Sequence, residues 1–213
     1  MTPISDLRKE YSLQSLHKKD VALNAMDQFG RWWQDALKTE INEANAMTLA
    51  TASADGLPSA RIVLLKGFHK DGFQFYTNYE SFKGRQIAEN PRACLVFFWK
   101  ELERQVRITG LVDKLNSQES DAYFNSRPIG SRIGALASSQ SEVIESSAWL
   151  SSQAERLEEK YADLDIPRPP NWGGYLVKPV TIEFWQGRPN RLHDRLLYTL
   201  QEDGSWIIDR LAP

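Results

Sequence analysis

The 213-residue sequence predicts an α+β protein, mainly antiparallel β. Three observations carry this. Apolar and β-branched runs of strand length recur from Ala46 onward, and turn signals such as Ala54-Asp-Gly-Leu57 and Lys70-Asp-Gly72 separate them. Helical spacing gathers ahead of those runs and in one block at about 116–162. Closely spaced strands with Asp-Gly turns favour a closed or nearly closed barrel over a parallel sheet, which needs long crossovers.

Taken in order, residues 1–20 are polar and charged and read as a flexible N-terminal arm, and 21–213 read as a single domain. Asn24 is placed to cap a helix in which Ala25, Phe29, Trp32, Trp33 and Ala36 fall near helical spacing. Strands are expected over 46–53, 59–66 and 73–78, and a short helix over 82–88 stops before Pro91. Two more strands follow, at 92–99 and 104–114. A helical insertion at about 116–162 comes next. Asn116 caps its first helix, with Glu119 placed for a capping box, and Arg127-Pro128 breaks it near Ser126. A second helix covers 129–137. A long amphipathic one covers 142–162, with Gln140-Ser141 set either to cap it or to donate to a phosphate. After the stiff link Ile166-Pro-Arg-Pro-Pro-Asn171, three strands close the chain at 173–185, 195–200 and 205–211.

Composition narrows the function. A net charge of −2 argues against a general nucleic-acid or anionic-membrane binder, so any basic patch is local and suits a small anionic ligand. Cys94 is the single cysteine and lies in an apolar run, which excludes an internal disulfide and fits a small buried hydrophobe. Three histidines, His17, His69 and His193, do not make a histidine-rich metal site. Gly-x-Gly-x-x-Gly, Walker A, Gly-x-Ser-x-Gly and His-Glu-x-x-His motifs are missing, which argues against a nicotinamide-binding Rossmann fold. Without a bilayer-length apolar run or a signal-type N-terminus, the expected location is the cytoplasm.

The segment Glu183-Phe-Trp-Gln-Gly-Arg-Pro-Asn-Arg-Leu-His-Asp-Arg195 packs guanidinium groups, an indole, an imidazole and carboxylates between two strands. It suits an anionic planar ligand, and a salt-bridged surface loop is the alternative. Arg61 and Lys66 flank a four-residue apolar run; by strand alternation they project to opposite faces and serve two anionic sites, or are two solvated strand ends. Tyr76-Thr77-Asn78 before Ser81-Phe-Lys83 reads as a phosphate cradle at a helix N-terminus, or as a plain cap. Tyr123, Arg127 and Ser131 recur every four residues and offer a phenol, a guanidinium and a hydroxyl to a phosphomonoester. Gln105, in mid-strand, faces solvent or reads the polar edge of a ring.

In this order, Leu7-Arg-Lys-Glu-Tyr11, Arg61 to Lys66, Phe75-Tyr-Thr-Asn78, Leu102-Glu-Arg-Gln-Val106, Tyr123-Phe-Asn-Ser-Arg-Pro128, Gln140-Ser141, Asn171-Trp-Gly-Gly174, Ile182 to Gly187, Arg191-Leu-His-Asp-Arg195 and Asp209-Arg-Leu-Ala-Pro213 resemble the pyridoxine/pyridoxamine 5′-phosphate oxidase family. The resemblance implies an FMN-binding split β-barrel with surrounding helices. It implies a homodimer with FMN at the subunit interface, small phosphorylated pyridine substrates and O2. By that carry-over Arg61 and Lys83 hold the FMN phosphate, and Ile62, Val63, Leu64, Leu65 and Lys66 lie along the flavin. Tyr76, Thr77 and Gln105 come from the same subunit, and Gln140, Ser141, Trp185 and Arg195 from the partner. Lys66, Tyr123, Arg127 and Ser131 grip the substrate phosphate; Arg191, Leu192 and His193 cover the pyridine, with Arg191 and His193 as the catalytic candidates. Arg8 and Tyr11 close over the site. The reaction implied is oxidation of pyridoxamine or pyridoxine 5′-phosphate to pyridoxal 5′-phosphate with release of H2O2; a flavin-dependent reductase and a flavin or pyridoxal-phosphate carrier are the alternatives. One departure stands out: many members carry Arg before the matching lysine where this chain has Phe82. A lost charged hydrogen bond there is worth roughly 1.5–3 kcal/mol.

Overall fold

The computed structural model describes residues 3–6 and 10–213, so the arm residue Arg8 lies outside the described residues. Helix α1 (Ala25–Lys38) opens where Asn24 accepts the Met26 N–H at 2.8 Å, satisfying a donor that the first helical turn cannot. The expected apolar face is real: Ala25, Phe29, Trp32 and Ala36 are buried. Phe29 meets Phe68, Phe73 and Phe97 at ring-centroid distances of 4.9, 4.8 and 5.4 Å, which seats the helix on the sheet through aromatic packing.

The strands are β1 (Ala46–Ala52), β2 (Pro58–Leu64), β3 (Gly67–His69), β4 (Gly72–Asn78), β5 (Arg92–Trp99), β6 (Arg104–Lys114), β7 (Trp172–Gln186), β8 (Asp194–Leu200) and β9 (Trp206–Leu211). Between them lie α2 (Phe82–Glu89), α3 (Ser117–Ser126), α4 (Ile129–Ala137) and α5 (Ser147–Lys160). All the strands join one sheet in the order β2-β1-β5-β6-β7-β4-β3, with β8 paired to β7 and β9 to β8. The long β7 makes the sheet fork. Its first half pairs β4 from Trp172 to Val177, its second half pairs β8 from Thr181 to Gln186, and β6 runs beside both. The β6–β7 register shifts between Thr109 and Gly110, and a Cβ on Gly110 would stand 2.1 Å from the Lys178 carbonyl oxygen. That bulge bends the sheet into an antiparallel half-barrel around the apolar core.

Three expectations change. The segment before α5 is not helical from 142: Ser146 is its cap, accepting the Trp149 N–H at 3.0 Å, and Ser141 sits in the left-handed region at φ 75°. Gln140-Ser141 therefore caps nothing. The strand expected to reach Lys66 ends at Leu64, because Leu65 N–H already bonds Asn45 and Lys66 N–H bonds Gln74 in β4. The described part of the arm at 10–20 is tied down rather than loose. Ser12 and Leu13 N–H groups donate to the Glu103 carboxylate at 2.8 and 3.1 Å, and Leu16, 6% exposed, donates its N–H to Asp194 at 3.0 Å. Arg104 is buried beneath this arm, bonded to Asp35, Gln186 and Gln14.

Candidate active site

A cleft of about 830 Å³ opens where β2, β4, α2, α3 and α4 meet. Arg61, Ile62, Val63, Leu64, Lys66, Tyr76, Thr77, Lys83, Tyr123, Arg127, Ser131 and Gln140, all singled out in the sequence, line it. Arg61 and Lys66 thus share one cleft instead of serving opposite faces, since the strand alternation that separated them stops at Leu64.

Its first cationic group is built on α2. The Ser81 hydroxyl caps that helix by accepting the Gly84 N–H, and a Cβ on Gly84 would fall 2.1 Å from the Tyr79 carbonyl oxygen. Glycine there lets α2 sit against the end of β4, which brings Lys83 beside Thr77. The Lys83 ammonium donates to Thr77 Oγ1 at 3.1 Å, Gln140 Oε1 at 3.1 Å and Ser81 Oγ at 3.3 Å. Burial, with the Arg61 charge adding to it, pushes Lys83 down to about 8. Arg61 reaches the same region from β2; burial lowers it too. Two cations held close in a partly dry cleft call for an anion.

The second group is built on α3 and α4. Tyr76 stacks on Tyr123 at 3.9 Å and on Trp172 at 5.7 Å, making an aromatic wall. The Arg127 guanidinium lies 4.7 Å from the Trp172 ring, and burial lowers its pKa. Its Nη1 is buried with no hydrogen-bond partner among the described residues. A buried guanidinium nitrogen left unpaired costs on the order of 1–3 kcal/mol, and an anionic oxygen would relieve that cost. Ser131, near the α4 N-terminus, adds a hydroxyl beside amides that have no intrahelical acceptor.

The remaining candidates lie elsewhere. Leu65 is buried in the core, Ser141 is exposed, and Phe82, 48% exposed, does not line the cleft. Gln105, Trp185 and Arg195 form one row across β6, β7 and β8 through direct register pairs on the outer face of the sheet. This regroups the two glutamines. Gln140 belongs to its own chain's cleft with Lys83 and Thr77, whereas Gln105 stands with Trp185 and Arg195.

Arg195 donates to Glu183 at 2.7 Å, and Arg107 bonds the same carboxylate, which is only 3% exposed. Tyr11 packs edge-on against Trp185 at 5.7 Å, and His193 lies 4.6 Å from Trp185. Gly187 makes room for this contact, since a Cβ there would stand 2.7 Å from the Tyr11 ring. The His193 Nδ1 accepts the Arg188 N–H at 3.1 Å; burial and the Arg191 charge lower its pKa. Arg191 and Leu192 are exposed in the β7–β8 turn, where Asn190 and Arg191 adopt left-handed backbone at φ 56° and 60°. None of these residues lines the cleft of its own chain. Sequence reasoning missed Thr51, Ser59 and Gln86, which bond to or support Arg61. It also missed the buried Arg104. Only the Lys83–Gln86 helical spacing hinted at the former.

A half-barrel whose cleft joins an aromatic wall to two groups of cationic side chains has the chemistry to suit a flat, anionic ligand. Comparison with known proteins narrows this. The pyridoxamine 5′-phosphate oxidase family model matches residues 33–161, and the pyridoxine 5′-phosphate oxidase C-terminal dimerisation region matches residues 172–213. The chain belongs to the pyridoxamine 5′-phosphate oxidase family. It is 57% identical over 213 residues to the pyridoxine/pyridoxamine 5′-phosphate oxidase of Paraburkholderia phymatum, covering 100% of both chains. It is 56% identical over 210 residues to that of Nostoc punctiforme, covering 99% of this chain and 98% of the relative. Among solved structures, PhzG from Burkholderia lata in complex with tetrahydrophenazine-1-carboxylic acid matches with a TM-score of 0.89 and 29% identity over 95% of this chain and 100% of that one. A pyridoxamine 5′-phosphate oxidase-related, FMN-binding protein from Nostoc punctiforme shares the fold, with a TM-score of 0.70 at 20% identity over 91% of this chain and 100% of that one. The C-terminal match supports a homodimer. Among the described residues no helix is long and apolar enough to cross a membrane.

Proposed function

We propose that the protein binds FMN and oxidises pyridoxamine 5′-phosphate and pyridoxine 5′-phosphate to pyridoxal 5′-phosphate, with O2 reduced to H2O2. The observation that carries this is one cleft lined by two separately built groups of anion donors, Arg61 with Lys83 and Arg127 with Ser131 and Tyr123. The bound flavin supplies the two-electron acceptor. In the balance, the alcohol gives the aldehyde and H2O2 directly, and the amine also takes up water and releases ammonia.

The chain's own residues bind and orient. Arg61 and Lys83 hold the FMN phosphate, with Thr77, Tyr76 and Gln140 beside it and the 62–66 segment along the ring. Lys66, Tyr123, Arg127 and Ser131 hold the substrate phosphate, so binding energy far from the reacting carbon fixes that carbon in place. The outer-face row of Gln105, Trp185 and Arg195, with Arg191, Leu192, His193 and Tyr11, serves the partner's cleft across a dimer; Ser141, beside Gln140, and Arg8 of the arm complete the set. Because His193 Nδ1 accepts a backbone N–H, its neutral ring carries the proton on Nε2. His193 then donates to the substrate and does not abstract a proton through Nδ1.

The test is anaerobic addition of pyridoxamine 5′-phosphate to the yellow holoprotein. Bleaching, followed by recolouring and peroxide on admitting air, is expected; persistent colour refutes oxidase activity, and turnover eliminates a mere carrier. The likeness to PhzG gives a second reading, a reduced phenazine carboxylate as substrate. That ligand has no phosphate for Arg127 and Ser131, so bleaching by it but not by pyridoxamine 5′-phosphate would favour this reading.

A further inference from the structure

We propose that Gln86 is a positioning residue that fixes the Arg61 guanidinium for a phosphate group, acting through the Thr51 and Ser59 hydroxyls. This rests on the reading that Arg61 and Lys83 hold the FMN phosphate. Arg61 Nη1 donates to Thr51 Oγ1 at 2.6 Å, and Nη2 donates to Ser59 Oγ at 2.6 Å. Each hydroxyl has a single hydrogen. Both point it at the same atom, Gln86 Oε1, at 2.5 Å from Thr51 and 2.6 Å from Ser59.

The direction of this relay follows from the donor count. With its one hydrogen given to Gln86, each hydroxyl turns a lone pair to the guanidinium, which can only donate. The reverse amide orientation would take this acceptor from both hydroxyl hydrogens, and the two hydroxyls, 3.4 Å apart, can pass only one of those hydrogens between them. One carbonyl oxygen at the root therefore sets both hydroxyls, and through them the fork of Arg61. With the backbone bonds from Nη1 to Leu49 and Ser59 included, Nε and one Nη2 hydrogen are still left for a ligand.

Two further facts point the same way. Gln86 lies three residues after Lys83 on the same helix, so α2 carries one cation of the pair and braces the other on β2. Burial first and the Arg61 charge second lower the Lys83 pKa, so the two cations repel and an unbraced Arg61 would swing towards water. Gln86 is 4% exposed, and its Nε2 is buried without a hydrogen-bond partner among the described residues. A methionine of equal length would fill the space without that unpaired donor, so packing alone does not account for an amide here.

The experiment compares FMN with riboflavin, which lacks the phosphate, by fluorescence titration of the flavin-free protein. The wild type should prefer FMN. Gln86→Met should cut that preference roughly tenfold, the scale of one charged hydrogen bond, while riboflavin binding stays within a factor of about two. If Gln86→Met does not fold, the double variant Thr51→Val, Ser59→Ala breaks the same relay and should give the same selective loss. A folded variant that keeps the full FMN preference, or loses both ligands equally, overturns the positioning role while leaving the phosphate site intact. Absence of any FMN preference in the wild type overturns both.

Discussion

Replacing Lys83 with Met should make the empty protein more stable and its grip on FMN weaker. The ammonium, 8% exposed, is pushed down to about 8 from an ordinary 10.5 by burial and then by Arg61. At about 1.4 kcal/mol per unit, that shift amounts to roughly 3 kcal/mol held against the charged form in the empty cleft. Because the folded value lies below the unfolded one, the unfolded chain binds more protons between about 8 and 10.5. Wild-type stability attributable to this group therefore rises across that window, and the cost is fully present below it. Methionine removes the charge and leaves Thr77 Oγ1 and Gln140 Oε1 bonded to each other at 3.0 Å. At pH 7 urea denaturation of the flavin-free variant should show a gain of about 1–3 kcal/mol, shrinking towards pH 10. Affinity for FMN should fall by about 1.5–3 kcal/mol, with riboflavin affinity nearly unchanged. A variant less stable than wild type at pH 7 would show that the buried charge carries no such cost, and one losing FMN and riboflavin alike would show that Lys83 does not hold the phosphate.

Other outcomes follow from the same geometry. Arg127→Met should raise the KM for pyridoxamine 5′-phosphate by about ten- to a hundredfold in steady-state assays and change kcat less, because it removes phosphate binding remote from the reacting carbon. Flavin reduction followed by stopped flow should show no inflection from His193 between pH 7 and 8, since burial and Arg191 lower its pKa below the ordinary 6.5; a clear limb at neutral pH removed by His193→Asn would contradict this. Burial raises the Asp194 carboxyl, but the Leu16 N–H, Arg210 and Arg188 outweigh it and hold the group below the usual carboxylate range. Its stabilisation is thus present above about pH 4 and lost as pH falls through the lowered value. Asp194→Asn should abolish that acid limb and speed amide exchange at Leu16. Gly84→Ala should cost at least about 2 kcal/mol in urea denaturation, because the added methyl meets a backbone carbonyl that cannot move alone.

Much of the fold is legible in the sequence because its signals are local. Asn24 and Asn116 announce helix starts by their side-chain chemistry, and both accept the N–H expected of a cap. The Asp-Gly turns and apolar runs mark the strands within a residue or two. What escapes is long-range. Among the described residues the short β3 pairs only with β4, and the fork of β7 depends on the Thr109/Gly110 register shift, whose one local sign is a glycine inside a strand. The cleft is legible through residue chemistry, as Arg61, Lys83, Tyr123, Arg127 and Ser131 converge there. The assignment of Arg61 and Lys66 to opposite faces failed because alternation holds only inside a strand. The placing of Gln140 in the cleft and of Gln105 outside it, and the hydrogen bonds that join Thr51, Ser59 and Gln86, depend on pairings between distant segments that no spacing rule encodes.

Each chain is proposed to build two distinct phosphate holders in one cleft. Calorimetric titration of FMN, and of pyridoxal 5′-phosphate at saturating FMN, into wild type, Lys83→Met and Arg127→Met tests it most directly. A crossed result is expected: Lys83→Met weakens FMN and spares pyridoxal 5′-phosphate, and Arg127→Met does the reverse. If both substitutions weakened the same ligand and left the other untouched, the two-holder cleft would be wrong.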